Sequence, residues 1–149
     1  MPAQYALARM LETPESDEIA RDIDEALHWY TEAANEGYAN SIYHLGAGYY
    51  QGGSFGQDDA LASEWLSIGS RRGDVNSQAQ LGLMYANGRG FERDLKRGMM
   101  WLLVSLRFGH DDERQVDVLN KIAAALPYED VKQAEHMAQE CIMGFFEHC

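Results

Sequence analysis

Cysteine, proline and basic residues are all scarce in this chain of 149 residues. It contains two cysteines, three prolines and 12 lysines and arginines, against 24 aspartates and glutamates. The resulting net charge of −12 argues against nucleic acid and anionic membranes as partners. No run of about 18 apolar residues occurs, so membrane insertion is not expected. No basic stretch precedes an apolar core at the N-terminus, so we expect no secretory signal.

The two cysteines, Cys141 and Cys149, fall in a segment whose apolar spacing predicts one helix. A continuous helix would separate them by about 12 Å of rise, whereas a disulfide needs Cα atoms within about 7 Å. We therefore expect free thiols and, with no signal visible, a cytoplasmic protein. A zinc site built from these cysteines with His136 and His148 is disfavoured, because zinc requires four convergent ligands, usually from two segments.

Charge is distributed unevenly along the chain. Residues 12–36 contain nine acidic side chains and Arg21 as the single basic one, whereas residues 71–107 contain seven basic side chains and three acidic ones. Solvated helix faces explain such runs. The alternative is an electropositive middle segment that receives an acidic segment, for example from a second copy of the chain.

An internal repeat of 36 residues organises the sequence. The positions that keep this period are Trp29, Trp65 and Trp101; Gly37, Gly73 and Gly109; Asp22, Asp58 and Asp94; and Leu45-Gly46 with Leu81-Gly82. Repeats of this length indicate stacked structural units. Such stacks usually provide binding surfaces.

Each unit is predicted to form two helices. Leu and Tyr four residues apart define one face of the first helix, and Gly46 and Gly82 on that face predict close approach by a neighbouring helix. Asn40 and Asn76 are predicted N-caps of the first helices, and Asp22-x-x-Glu25 predicts a capping box on a second helix. The three tryptophans are expected in the core of the second helices, which end at the repeated glycines.

The pattern fades after His110, and the apolar spacing in residues 112–149 predicts two capping helices. We therefore predict an all-α solenoid: three helix pairs over about 3–37, 38–73 and 74–109, followed by the caps. The turn of the first pair, near residues 12–18, is about two residues longer than its counterparts. Gly98 occupies the repeat position of Ala26 and Ala62, and Gly69 occupies that of Ala33. Because glycine lowers helix stability relative to alanine, the two helices that contain these glycines are expected to be weaker.

The pattern Leu-Gly-x-x-Tyr-x-x-Gly, then Gly-Phe-x-x-Asp-x-x-x-Ala-x-x-Trp and a closing glycine, resembles the Sel-one-like repeat family, a relative of the tetratricopeptide repeat. The resemblance covers residues 3–111, and the segment from Pro127 to Ala138 is similar to the closing helix of many bacterial members. It implies a right-handed superhelix of antiparallel helix pairs and a non-catalytic bacterial adaptor or scaffold that binds a protein or peptide.

By the same resemblance, first-helix residues beside the Leu-Gly-Tyr face line the concave binding surface. These residues are Tyr5, Arg9, Asn40, Tyr43, Ala47, Tyr50, Asn76, Ala79, Leu83 and Ala86. We expect Tyr43, Tyr50 and Leu83 to be the anchors, because their apolar bodies have no place in the predicted core. A basic patch formed by Arg89, Arg93, Lys96 and Arg97 is the second candidate surface.

Catalysis, metal and cofactor are not expected. The glycines of Gly88-Arg89-Gly90 could suggest a phosphate loop, but they follow a helix and recur with the repeat. A hydrolase or cell-wall binder of the cysteine-rich type found among relatives is the alternative from another class, although those paired cysteines are missing here. Self-assembly is a third possibility, through a first helix that would expose Tyr5, Leu7 and Leu11 to a second copy.

Overall fold

The computed structural model describes residues 2–13, 20–109, 112–146 and 149. All regular secondary structure in these residues is helical, which confirms the predicted all-α class. The helices are α1 (Ala3–Glu12), α2 (Ile23–Asn35), α3 (Ala39–Gln51), α4 (Asp59–Arg71), α5 (Val75–Asn87), α6 (Leu95–Arg107), α7 (Glu113–Ala125) and α8 (Tyr128–Met143). The chain forms two compact units, Met1–Trp65 and Leu66–Cys149, with the boundary inside α4.

Aspartates begin the second helices, as the repeat predicts. The same backbone hydrogen bond closes each helix pair, donated by the amide of this aspartate to a carbonyl near the end of the first helix: Asp22 to Leu11 (3.0 Å), Asp58 to Tyr49 (3.0 Å) and Asp94 to Tyr85 (2.9 Å). The first pair has two more residues between donor and acceptor than the others. Most of the longer turn predicted there, residues 14–19, lies outside the described residues.

Only one of the two hydrogen bonds of the predicted capping box on α2 forms. The Asp22 carboxylate accepts a hydrogen bond from the Glu25 amide at 2.9 Å, as a cap should. The reciprocal bond is replaced, because the Asp22 amide donates to the Leu11 carbonyl at 3.0 Å, and the Glu25 carboxylate accepts from the Trp29 indole at 3.3 Å. Gly37 then ends the helix pair with a positive φ of 91°, as expected of a glycine after a helix.

The predicted asparagine caps are wrong. Helix α3 begins after Tyr38, which makes no side-chain cap, and α5 begins after Asp74, whose carboxylate accepts from the Ser77 amide at 2.7 Å. Asn40 and Asn76 are exposed residues inside the first turn of these helices. The helices start earlier because Tyr38 and Asp74 adopt extended backbone angles directly after the glycine turn.

The core of the second helices lies one residue beyond the tryptophans. The large side chains that are fully buried and keep the 36-residue period are Tyr30, Leu66 and Leu102, each 0% exposed. Trp101 is buried as predicted, but Trp29 and Trp65 are half-buried, so the prediction of core positions is wrong for these two. One residue rotates a side chain by about 100° on a helix, enough to move a tryptophan from the core to its edge.

Gly82 and Gly98 let helices α5 and α6 touch within the second unit. A Cβ at Gly82 would lie 2.9 Å from Leu102 Cγ and 3.0 Å from the Gly98 carbonyl oxygen. A Cβ at Gly98 would lie 2.9 Å from the Gly82 carbonyl oxygen. The close approach predicted at Gly82 is confirmed. Gly98, expected only to weaken its helix, offsets that cost by admitting the contact.

Cys141 and Cys149 form a disulfide with a Cα–Cα distance of 5.0 Å. The prediction of free thiols is wrong, because α8 ends at Met143 and the chain turns back. Phe145 and Phe146 have positive φ angles of 50° and 68°, and the Phe146 amide donates to the Cys141 carbonyl at 2.9 Å. Disulfides persist in oxidising compartments, so the cysteines no longer favour the cytoplasm.

No helix in the described part of the chain is long and apolar enough to cross a membrane. The described residues also include no group of three or more histidine, cysteine or acidic side chains placed to hold a metal. The zinc alternative involved His148, which lies outside the described residues, and His136, which contacts Glu140 at 3.3 Å.

Candidate functional site

A cleft of about 380 Å3 opens in the first unit, between the end of α1, the middle of α3 and the glycine-rich turn after α3. Its lining residues are Glu12, Tyr43, His44, Ala47, Gly48, Gln51, Gly52, Gly53, Ser54 and Phe55. Two of the predicted binding residues, Tyr43 and Ala47, are therefore brought together here. Helix α3 presents them because it places residues three to four apart on one face.

A carboxylate at the cleft wall binds two side chains through one oxygen. Glu12 Oε2 accepts a hydrogen bond from the Tyr30 hydroxyl at 2.8 Å and lies 2.9 Å from His44 Nε2. A carboxylate in its ionised form can only accept, so the His44 form that matches this contact has its proton on Nε2. Burial raises the pKa of the Tyr30 phenol, and the Glu12 hydrogen bond raises this pKa further, so Tyr30 stays a donor at neutral pH.

The second oxygen of the Glu12 carboxylate, Oε1, can accept a further contact. Glu12 Oε1 accepts no hydrogen bond from any residue in the described ranges. The Glu12 side chain is 16% exposed and the His44 side chain 33% exposed, so both are held in place yet reachable from the cleft.

Aromatic rings fix His44 from several sides. Its ring centroid lies 4.4 Å from that of Tyr30 and 5.6 Å from that of Phe55. Tyr5 joins the cluster, 5.0 Å from Tyr38 and 5.6 Å from Tyr30, and burial raises the pKa of its phenol. Tyr5, predicted for the concave surface, is thus half-buried among aromatic rings.

Gly48 gives the Phe55 ring its place in the cleft. A Cβ at this position would overlap the ring, so only glycine permits the observed packing. Phe55 is half-buried and lines the cleft, with its ring centroid 5.8 Å from that of Tyr49.

The other predicted residues of the first unit do not line this cleft. Arg9 and Asn40 are exposed, and Tyr50 is half-buried without lining the cleft. On the helix face suggested for self-assembly, Leu7 is 37% exposed and Leu11 is half-buried.

In the second unit most predicted concave residues are packed. Ala79 and Ala86 are each 6% exposed, and Asn76 is exposed. Leu83 is half-buried and packs against the core cluster that contains Met99 and Leu102. The prediction that Leu83 has no place in the core is therefore wrong.

The predicted basic patch is engaged within its own unit. Arg93 Nε donates to the Ala86 carbonyl at 3.0 Å, Lys96 pairs with Asp130 at 3.2 Å, and Arg97 pairs with Asp94 at 3.7 Å. Arg89 is half-buried and also has interactions. With the stacked rings of Tyr85 and Phe91, 4.1 Å apart, residues 93–97 line a shallow cavity of about 600 Å3.

Sequence reasoning missed Glu12 and His44. Glu12 follows Leu11 as Tyr50 follows Tyr49 and Ala86 follows Tyr85, so it occupies the register of two residues that were selected. Carrying this register into the irregular first repeat would have found it. His44 has no such signal, because Gln80 stands 36 residues later.

Solved structures with a similar fold include a Sel1 repeat protein from Oxalobacter formigenes, with a TM-score of 0.68 and 26% identity over 80% of this chain and 86% of that one. A protective antigen of uropathogenic Escherichia coli displaying an SLR fold gives a TM-score of 0.65 and 21% identity over 95% of this chain, which spans 38% of that protein. No curated protein matches the chain. The Sel1 repeat model matches residues 2–38, 39–74 and 75–104. With three repeats across most of its length, this protein belongs to the Sel1 repeat family.

Proposed function

We propose that this protein is a non-catalytic adaptor or scaffold that binds a protein or peptide on the concave face formed by the first helices of its repeats. Sel1 repeat proteins are typically protein-interaction modules. The observation that carries the proposal is the first-unit cleft, which combines two residues of that predicted face, Tyr43 and Ala47, with the polar pair Glu12 and His44.

The size and lining of the cleft suit a side chain of a bound peptide. Its volume of about 380 Å3 falls in the range of small binding pockets. Tyr43 and Phe55 offer aromatic surface of the kind that anchors interfaces. The turn from Gly52 to Ser54 completes the lining of the cleft.

Hydrolysis is the competing interpretation, since a carboxylate that orients a histidine also occurs in catalytic sites. A nucleophile should then hydrogen-bond to that histidine. The serine that lines the cleft, Ser54, instead accepts a hydrogen bond from the Arg21 guanidinium. The His44 imidazole nitrogen Nε2 faces Glu12. This arrangement favours recognition over acyl transfer.

Replacing Tyr43 with alanine should weaken the binding of a peptide by about 1–3 kcal/mol, because the peptide loses an aromatic anchor. The peptide is obtained by selection from a random display library against the full chain, and its affinity is measured by isothermal titration calorimetry. Tyr128→Ala is the matched control, since Tyr128 is 70% exposed on α8. Equal affinities for both variants would place the binding surface outside the cleft.

A further inference from the structure

We propose that the first-unit cleft takes an arginine side chain of the bound peptide, with the Glu12 carboxylate as its acceptor. The inference rests on the peptide-binding function proposed above and adds the chemistry of the ligand. It is carried by the geometry of Glu12, the aromatic lining and the charge of the first unit.

Glu12 is a partly satisfied acceptor inside a cavity. Both donors to its carboxylate, Tyr30 and His44, address Oε2. A carboxylate offers about four lone-pair sites and can accept two parallel bonds from a guanidinium. Because Oε1 accepts no hydrogen bond from the described residues, a donor entering the cleft gains a charge-assisted bond without displacing an existing one.

The surrounding groups favour a guanidinium over an ammonium. In its neutral form with the proton on Nε2, His44 offers Nδ1 as a further acceptor. Tyr43 and Phe55 line the same cleft, and aromatic faces attract cations, arginine most often. Arginine also presents five donors in a planar fork, so one side chain can bind a carboxylate and stack on a ring.

The charge of the first unit complements a cation. Residues 1–65 contain 12 acidic side chains and two arginines, whereas residues 66–149 contain 12 acidic and ten basic side chains. Such an imbalance attracts a basic segment over a distance. Of the two arginines, Arg21 contacts Ser54 at the edge of the cleft and therefore opposes a second cation there.

The direct test titrates the 15N-labelled full chain with the blocked tripeptide acetyl-Gly-Arg-Gly-amide. A matched tripeptide carries citrulline, which has the shape of arginine but no charge. We expect the arginine peptide to shift the backbone amides of Gly48, Gly53 and Phe55 in a saturable manner. We expect the citrulline peptide to bind about tenfold more weakly or not at all.

Three variants then distinguish a specific arginine site from non-specific electrostatic attraction to the acidic first unit. Glu12→Gln should weaken the arginine peptide by at least about tenfold, while Glu32→Gln, the same charge change on an exposed residue of α2, should weaken it less than twofold, roughly the effect of an exposed charge. Arg21→Gln should strengthen binding, since it removes a repelling charge. Glutamine at position 12 still accepts from Tyr30 and His44, and the amide spectrum reports whether the fold is kept.

Equal binding of both tripeptides, equal weakening by Glu12→Gln and Glu32→Gln, or weaker binding in Arg21→Gln would each overturn the assignment. A library-selected peptide without basic residues that binds in the cleft would refute the arginine site but leave the peptide-binding function intact. If the tripeptide and the selected peptide both leave the cleft amides unshifted, both proposals fail.

Discussion

Replacing Leu102 with alanine should lower the free energy of unfolding by about 2–5 kcal/mol. Leu102 is 0% exposed, belongs to the core cluster with Met99, Ile122 and Ala134, and its Cγ faces Gly82. Removing its side chain loses the transfer free energy of the buried carbons and leaves a cavity between α5 and α6, whose glycines cannot fill it. Urea denaturation followed by circular dichroism measures the effect.

Leu7→Ala provides the comparison, because Leu7 is 37% exposed on α1. It should cost less than about 1 kcal/mol, in line with surface substitutions. If Leu102→Ala were no more destabilising than Leu7→Ala, the core would not lie at the Tyr30–Leu66–Leu102 positions.

Reducing the Cys141–Cys149 disulfide should destabilise the second unit by about 2–3 kcal/mol, because opening this short loop restores entropy to the unfolded chain. The melting temperature should fall by roughly 4–12 °C. Phe146 packs the disulfide-closed loop against the rest of the second unit, because its ring centroid lies 5.6 Å from that of Phe108 and the ring also contacts Gly73. Calorimetry with and without dithiothreitol measures the change.

The control is Cys149→Ser, which removes the bridge and leaves the buried Cys141 side chain in place. Its melting temperature should match that of the reduced protein and should not respond to dithiothreitol. Two titratable thiols in the unreduced, denatured protein would contradict the disulfide directly.

Local rules predicted most of the fold. Aspartates before the second helices and glycines after them act through backbone hydrogen bonds of neighbouring residues, so Asp22, Asp94 and Gly37 behave as the sequence indicates. The 36-residue period located the helix pairs. The rest depends on tertiary packing. Leu66, and not Trp65, is fully buried in the core, and the missing side chain of Gly98 lets two helices come into contact.

The C-terminal turn could not be predicted by the same rules. The apolar spacing through Phe145 continues the helix of α8, and the distance argument against a disulfide depended on that continuation. The chain leaves the helix at Gly144 because Phe145 and Phe146 adopt left-handed backbone angles, which bulky residues do only when other contacts compensate. The packing of Phe146 on Phe108 is such a contact, and it is not visible in the sequence.

The residues of the candidate site could be predicted where they occupy regular repeat positions, but not where they occur in the first repeat alone. Tyr43 and Ala47 were found because their register is shared by all repeats. The polar group of the cleft, in contrast, occurs once: Tyr30 is replaced by Leu66 and Leu102 in the later repeats. Glu12 and His44 are 32 residues apart, and the packing of α1 on α2 and of α2 on α3 brings them to 2.9 Å.

The central claim is that the first-unit cleft recognises a peptide, and an amide chemical-shift map of the 15N-labelled chain with the library-selected peptide tests it most directly. We expect the largest shifts on Ala47, Gly48 and the turn from Gly52 to Phe55. Largest shifts within residues 66–149, for example around the Tyr85–Phe91 cavity, with the cleft amides unchanged, would contradict it.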